Sequence, residues 1–400
     1  MSTTADVVTG VEEVRRLVDD LLAGHPPATA EPRAFLEAQF DAGLAWVHHP
    51  PGAGGLGLDG HLQGVVDGAL SKAGAPRPDV ARNIIGHGMA APTIVAHGTP
   101  EQQRRYLRPL FTGEEIWCQL FSEPGSGSDL PGLSTRAVRD GDEWVVNGQK
   151  VWTTLAHISR WGLLVARTDP DVPKHNGLTY FICDMHAPGV EVRPLRQMTG
   201  DAEFNEVYLS DARLSDELRL GDEGEGWRVS MTTLMHERVA IGGGRASRGS
   251  GAIAKAVELW RRGGHTDPVR RDQLMRLWVE AEVTRLTNQR AGQLRRKGRP
   301  GPEGSVAKLA FAELNQAISE LCVDLMGAEG QLYTGYDSPR RESVGFFTGD
   351  PRYFFLRSRA NSIEGGTSEV LRNILGERVL GLPGEPRTDK DLPWRDVPRS

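Results

Sequence analysis

The residues best suited to chemistry begin in residues 117–129, which form the run Trp-Cys-Gln-Leu-Phe-Ser-Glu-Pro-Gly-Ser-Gly-Ser-Asp. The apolar first half is typical of a buried strand, and Pro124 ends it because proline has no N–H to donate to a sheet. Beyond that point, Gly125 and Gly127 lack the Cβ atoms that keep a ligand away from the main chain. Free N–H groups and the hydroxyls of Ser126 and Ser128 can then converge on one anion, so a phosphate group is the expected ligand.

A second segment, residues 144–154, alternates apolar and polar residues around Asn147 and Gly148. Asn-Gly between alternating apolar residues is the strongest short-range sign of a two-residue hairpin turn. The sequence therefore predicts a β-hairpin here. The hairpin would end in the aromatic ring of Trp152 and the hydroxyl of Thr154.

A third motif lies near the C-terminus, where residues 363–372 form the run Ile-Glu-Gly-Gly-Thr-Ser-Glu-Val-Leu-Arg. Each motif alone has a structural explanation, but the three in this order make the chain resemble the acyl-CoA dehydrogenase family from roughly residue 30 to residue 382. That family comprises FAD-dependent flavoproteins that desaturate acyl-CoA thioesters. The resemblance implies removal of the α-proton of an acyl-CoA and transfer of its β-hydride to FAD.

The resemblance also implies a set of flavin contacts. A flavin needs hydrogen-bond partners along its ring, an aromatic wall, and donors for its diphosphate. In similar proteins the strand before the glycine-serine turn lies along the ring, the turn holds the diphosphate, and the tryptophan covers one flank. The cofactor-binding residues implied in this chain are Gln119, Phe121, Ser122, Gly127, Ser128, Trp152, Thr154, Thr367 and Glu369, with Arg271 as a substitute cationic partner.

The implied reaction needs a carboxylate base and donors that polarise the thioester carbonyl. In much of the family the base is a glutamate two residues before the threonine of a Glu-Gly-Thr motif, but this chain has Gly365 there and Glu364 one residue earlier. A second family arrangement, a Glu-Arg pair after a leucine, matches Glu237 and Arg238. We favour Glu237 as the base, with Glu364 as the alternative. Gly365 would offer its N–H to the carbonyl, and Arg238 and Ser128 would bind the substrate.

The part of the flavin site that relatives complete across a subunit interface departs from the family pattern. An Arg-x-x-Phe element is replaced by residues 262–267, and Asp324 stands where relatives have a glutamine. The leading prediction is a homodimeric or homotetrameric dehydrogenase that passes electrons to an electron-transfer flavoprotein. Two alternatives stay open: a flavin-poor partner subunit of a heteromeric dehydrogenase, and an oxygen-using flavin oxidase or monooxygenase.

The spacing of apolar residues changes twice along the chain, from helical to alternating and back to helical. The spacing alone predicts only this order of helical and strand-containing segments. The resemblance adds the domain plan of a multidomain α and β protein: an N-terminal α-helical domain (1–115), a central β-barrel domain (116–227) and a C-terminal four-helix bundle (228–382). The last residues, 383–400, are predicted to form an extended tail or a strap over a neighbouring subunit.

Composition limits the remaining possibilities. The chain has 400 residues, 38% of them hydrophobic and 25% charged, with a formal net charge of -6. These values predict a globular protein of two or three domains and argue against nucleic acid as the main partner. Without an 18-residue apolar run or a signal pattern, we expect a cytoplasmic protein that does not enter the membrane. The three widely separated cysteines predict buried thiols and no zinc site.

Overall fold

The computed structural model describes residues 4–242, 247–296, 303–337, 340–344 and 349–398. Its N-terminal part is helical, with α1 (Thr4–Gly24), α2 (Pro32–Asp41), α3 (Gln63–Lys72), α4 (Ala91–His97) and α5 (Pro100–Thr112). Helix α5 begins with a capping box, in which Thr99 and Gln102 each bond the backbone N–H of the other. It ends at Gly113, whose φ of 75° is the left-handed conformation that favours glycine.

Seven strands follow: β1 (Trp117–Leu120), β2 (Arg136–Asp140), β3 (Glu143–Thr154), β4 (Trp161–Arg167), β5 (Leu178–Asp184), β6 (Val190–Pro194) and β7 (Phe204–Ser215). They form one sheet that curls into a half-barrel, in the order β1-β4-β2-β3-β7-β6 with β5 paired to β4. Strands β4 and β5 are buried along nearly their whole length. One of their faces packs on the N-terminal helices and the other packs inside the half-barrel.

The predicted hairpin at Asn147 and Gly148 is wrong. Strand β3 continues through both residues, and the turn that precedes it lies at Gly141, between β2 and β3. A Cβ at Gly148 would lie 2.3 Å from the Oγ1 of Thr135, so glycine is needed there for a close approach between strands. The register shift beside Gly148 marks a bulge, and Asn147 donates its side-chain amide to Asp211.

The C-terminal part is again helical, with α6 (Gly226–Gly242), α7 (Ala252–Arg262), α8 (Pro268–Arg296), α9 (Glu303–Met326), α10 (Pro351–Ser358) and α11 (Ser368–Arg378). Helix α9 packs against all five of the others, and α6 to α9 form the predicted four-helix bundle. The apolar residues of α7, α8 and α9 make its core. The helix-sheet-helix fold class is therefore confirmed, whereas the boundaries 1–115, 116–227, 228–382 and 383–400 stay predictions.

The C-terminal tail folds back on its own chain. Residues 383–388 are exposed and lack regular structure, as expected of an extended tail. Residues 389–397 then pack along the loop between β4 and β5, where the N–H of Trp394 donates to the Val172 carbonyl at 2.9 Å. These contacts lie within the chain, and the strap over a neighbouring subunit stays a prediction.

The three cysteines are buried and free, as predicted, and burial raises the pKa of each thiol. Within the described ranges, no helix has the length and apolar content needed to cross a membrane. The same ranges contain no cluster of three or more histidine, cysteine or carboxylate side chains that could hold a metal ion.

Four imidazoles lie near one another where the loop after α2 meets helix α6. Burial, with smaller contributions from the charges of His48 and His236, lowers the pKa of His49 to about 4. Burial likewise lowers the pKa of His87 to about 4. His49 is 5% exposed and packs against the Trp46 ring with centroids 4.9 Å apart. The folded protein therefore holds His49 neutral at pH values where the unfolded chain would protonate it.

We predict that His49 makes the protein lose stability in mild acid. The unfolded imidazole binds a proton near pH 6.5 and the folded one only near pH 4, so its contribution is complete above about pH 6.5 and is lost as the pH falls toward 4. The loss should be on the order of 2–3 kcal/mol. Urea unfolding of His49→Asn between these pH values should show a shallower pH dependence than the wild type. The exposed His186→Asn is the control, and an equal slope in His49→Asn and wild type would contradict the prediction.

Candidate functional site

A buried ion pair fixes the glycine-serine turn. Lys150 on β3 is fully buried, and its Nζ donates to Glu123 Oε1 at 2.9 Å and to the Phe121 carbonyl at 3.0 Å. The Glu123 carboxylate also accepts the N–H groups of Ser134 and Thr135. Burial alone would raise the pKa of Glu123, but the Lys150 charge and these bonds lower it. Both ends of the loop that carries the turn are thereby tied to β3.

The turn itself leaves two residues available to a ligand. Glu123 and Ser126 exchange both backbone hydrogen bonds, at 2.9 and 3.0 Å, and close a tight turn. Ser126 then donates its hydroxyl to the Asp129 carbonyl at 2.5 Å, so its role is structural. Gly127 and Ser128 are exposed, and across the described chain their N–H groups and the Ser128 hydroxyl make no hydrogen bond. These donors match the predicted anion site.

Trp152 lies on strained backbone at the surface. Its φ of 59° is a left-handed conformation that costs energy for a non-glycine residue and is found most often at functional sites. A bulge between Lys150 and Thr153 produces this conformation and turns the indole outward, so that Trp152 is 56% exposed. The Val151 N–H donates to the Ser122 carbonyl at 2.9 Å, which brings the end of the first strand beside the indole. Trp152 is thus an exposed wall rather than a core residue.

The other predicted flavin contacts of the sheet lie around this wall. Gln119, Ser122 and Thr154 are half-buried, and their side chains have no hydrogen-bond partner among the described residues. Phe121 differs, because its ring is buried against Tyr180 with centroids 5.8 Å apart. Phe121 can therefore contribute only its backbone.

The glycines of the C-terminal motif form a turn that a buried lysine holds. Gly365 and Gly366 have φ values of 64° and 94°, which only glycine adopts without strain. Lys308 of α9 is fully buried and donates to the carbonyls of Asn361 and Gly366 at 2.8 and 2.6 Å. The Gly365 N–H has no acceptor within the residues that the structure describes, so it can bind a carbonyl. Sequence reasoning missed Lys308, because it lies within the regular apolar spacing of α9.

The two candidate carboxylates differ in their contacts. Glu364 accepts two hydrogen bonds from Arg357, at 3.2 and 2.9 Å, and one from Asn361 at 2.8 Å. Glu237 lies on α6 with its Oε2 atom shielded from solvent. Burial lowers the pKa of Lys308, and the charges of Glu364, Glu237 and Glu369 oppose this. Both glutamates are therefore near enough to the lysine that holds the glycine turn for their charges to affect its pKa. Glu364 is paired with the Arg357 guanidinium.

Phe204 joins the two halves of the site. Its ring meets the Trp152 indole nearly at right angles, with centroids 5.8 Å apart. The Arg357 guanidinium lies over the same ring at 5.8 Å and reaches Glu364 from there. The sheet residues and the C-terminal motif are thereby placed side by side. Neither Phe204 nor Arg357 was predicted, since neither belongs to a motif.

Four predicted residues stay untested in place. The Thr367 hydroxyl accepts the Val370 N–H and caps α11, and Glu369 is exposed in the first turn of that helix. Arg271 lines a shallow pocket between α7 and α8. The side chain of Arg238 lies outside the described residues.

Comparison with known proteins identifies the family. Models of the acyl-CoA dehydrogenase N-terminal, middle and C-terminal domains match residues 8–114, 118–212 and 224–380. The chain belongs to the acyl-CoA dehydrogenase family. Members of this family are FAD-dependent flavoproteins, and the predicted cofactor and fold are confirmed at that level.

Three similar proteins illustrate the match. The acyl-CoA dehydrogenase FadE34 of Mycobacterium tuberculosis is 41% identical over 92% of this chain, which spans half of that protein's length. The acyl-CoA dehydrogenase IpdE1 of the same organism is 38% identical, with 90% of both proteins covered. A solved structure of the Tcur3481-Tcur3483 steroid ACAD has a TM-score of 0.70 at 27% identity and covers 94% of this chain and 98% of its own.

The residues of this acyl-CoA dehydrogenase family member fit FAD. A flavin needs an aromatic wall and donors for its diphosphate. The exposed indole of Trp152 and the unpaired N–H groups of Gly127 and Ser128 have these properties. Phe204 lies next to the wall, and Arg357, which lies over the Phe204 ring, pairs with Glu364 of the C-terminal motif.

We predict that Lys308→Met lowers the free energy of unfolding. Methionine keeps the length of the side chain but leaves two carbonyls of the glycine turn without a donor, at a cost of about 2–4 kcal/mol. Urea denaturation measures the change. Lys255→Met is the matched control, because Lys255 is partly exposed and its ion pair with Glu258 is long, at 3.8 Å. This substitution should change the free energy of unfolding by less than about 0.5 kcal/mol. Equal stability of Lys308→Met and wild type would show that the lysine does not hold the turn.

Proposed function

We propose that this chain is an FAD-dependent acyl-CoA dehydrogenase whose base is Glu237. The observation that carries the proposal is that Glu237 is near enough to oppose, by its charge, the lowering of the pKa of Lys308, the lysine that holds the Gly365 turn. The Phe204 ring contacts the exposed Trp152 and Arg357. A thioester bound between these groups would face a carboxylate, a backbone donor and a flavin. The activity places the enzyme among oxidoreductases that act on CH-CH groups.

The chain's own residues supply the proton chemistry. Glu237 accepts the α-proton, and the free N–H of Gly365 donates to the thioester carbonyl, where negative charge develops. FAD, when bound, would supply the acceptor for the hydride that leaves the β-carbon. Glu364 serves a structural role in the proposal, because Arg357 and Asn361 already occupy its oxygens.

The proposed flavin contacts follow the geometry. Gly127 and Ser128 bind the diphosphate through unpaired donors, and Trp152 covers one flank of the ring. Thr154 and Gln119 offer polar side chains at its edge. Further contacts are proposed for Ser122, the Phe121 backbone, Thr367, Glu369 and, from a second chain, Arg271; Arg238 and Ser128 would contact the acyl-CoA.

The proposed partners are a bulky acyl-CoA and an electron-transfer flavoprotein, in a cytoplasmic oligomer. The name of the similar steroid ACAD supports a steroid-derived acyl group. An exposed apolar stripe on α8 supports association, since Met275, Val279, Val283 and Leu286 lie on one face and are 49–56% exposed. Size measurement of the purified protein gives its oligomeric state, and visible absorbance gives its FAD content. A yellow homodimer or homotetramer is thereby distinguished from a colourless chain that gains FAD only with a different subunit.

We predict that Glu237→Gln slows flavin reduction about 10²- to 10⁴-fold, because glutamine cannot accept the proton. The measurement is loss of visible flavin absorbance after anaerobic mixing with straight-chain, branched and steroid-side-chain acyl-CoAs, with FAD content checked first. The matched control is Glu364→Gln, which should keep reduction within about tenfold of wild type. Rapid reduction in Glu237→Gln together with none in Glu364→Gln would move the base to Glu364.

A further inference from the structure

The C-terminal strap, residues 389–397, contacts the same loop that carries the proposed phosphate site. Its backbone pairs with the loop after β4, where the Arg395 N–H donates to the Pro170 carbonyl at 3.1 Å and Pro393 forms a bridge with Pro173. An ion pair between Arg395 and Asp171 adds to this pairing. The strap thus lies along residues 170–173, and two side-chain anchors extend from there toward the glycine-serine turn.

The first anchor is an ion triad centred on Lys174. The Lys174 side chain is only 7% exposed, and its Nζ lies 2.9 Å from the Asp129 carboxylate and 2.6 Å from that of Asp389. Burial alone would lower the pKa of Lys174, but the two carboxylates raise it above its usual value. Asp129 follows directly after Ser128, whereas Asp389 belongs to the strap. One buried ammonium therefore joins the strap to the end of the phosphate turn.

The second anchor is the indole of Trp394. The buried Arg167 guanidinium lies over its ring at 4.6 Å from the centroid, and the indole N–H donates to the Gly132 carbonyl at 3.2 Å. Arg167 in turn donates to the Pro131 carbonyl at 2.5 Å. The strap therefore also holds the second half of the loop, residues 129–134, through contacts that do not use the Lys174 ammonium.

We propose that the C-terminal strap fixes Gly127 and Ser128 for binding the phosphate groups of a nucleotide ligand, and that Asp389, Lys174 and Trp394 are its positioning residues. The inference rests on the function proposed for Gly127 and Ser128. The buried Glu123–Lys150 pair secures the start of the loop and its return to β2, and the strap secures the stretch between them. Phosphate binding and strap docking are therefore coupled, and loosening one weakens the other.

Three point variants of the full chain test the coupling. Asp389→Asn removes one carboxylate from Lys174, and Trp394→Ala removes the ring over Arg167, whereas Trp394→Phe keeps a ring there without the indole N–H. The exposed Lys390→Ala is the control, since it changes the strap without touching the loop. Thermal unfolding confirms that each variant is folded.

Amide hydrogen exchange of residues 126–134 measures the loop without any ligand. The phosphate groups at Ser128 could belong to FAD or to acyl-CoA. Titration of the apoprotein measures the affinity for FAD, and the KM for an acyl-CoA that reduces the flavin reports on binding of acyl-CoA. We expect faster exchange in Asp389→Asn and Trp394→Ala, an intermediate effect in Trp394→Phe, and at least about fivefold weaker binding of FAD or acyl-CoA, with kcat at saturation within about twofold of wild type. The ligand that weakens is the one whose phosphates lie at Ser128.

Unchanged exchange in a chain that binds FAD would overturn the role of the strap alone. Faster exchange with both affinities unchanged would overturn its link to phosphate binding. If the wild-type chain binds neither FAD nor acyl-CoA, the proposed function is overturned, and with it the assignment of a ligand to this loop. Faster exchange in the variants would then report only on the structure of the loop.

Discussion

The buried ion pair between Glu123 and Lys150 is the constraint on which the site depends. Glu123 accepts N–H groups from the far end of its own loop, and Lys150 ties the near end to β3, two residues before Trp152. Removing one partner of a buried pair is costly, because it leaves an uncompensated charge away from water. The pair therefore couples the shape of the loop that carries Gly127 and Ser128 to the strand that carries the aromatic wall.

A second buried lysine has the same role on the opposite side. Lys308 holds the Gly365 turn through two carbonyls, as Lys150 holds the glycine-serine loop through Phe121 and Glu123. In both places a cation fixes glycine-containing backbone, and the N–H groups of Gly127, Ser128 and Gly365 have no acceptor among the residues that the structure describes. Donors fixed before a ligand arrives need little reorganisation when charge develops next to them. The Phe204 ring contacts Trp152 of the sheet and Arg357 of the C-terminal part, and so links the two sides.

Local patterns predicted much of this arrangement. The change of apolar spacing gave the order helix, sheet, helix, because amphipathic periods are local properties of the chain. The hairpin predicted at Asn147 and Gly148 was wrong, because the dipeptide that favours a hairpin turn also suits a bulge within a strand. Gly148 is needed there because Thr135 approaches closely. Lys150 and Lys308 were missed because lysine is almost never fully buried, and only their distant partners reveal their function. The docking of the tail likewise depends on contacts between residues far apart in sequence, such as Trp394 with Gly132.

The FAD affinity of the double variant Glu123→Gln/Lys150→Met tests the account most directly. The variant removes both buried charges together, so neither is left unpaired away from water, and the glutamine oxygen can still accept one of the two N–H groups, from Ser134 or Thr135. The protein should therefore fold. Titration of the apoprotein should show FAD binding weakened about tenfold or more, equivalent to about 1.4 kcal/mol, because the loop is no longer tied to β3. Wild-type affinity in the folded double variant would contradict the claim that this ion pair shapes the flavin site.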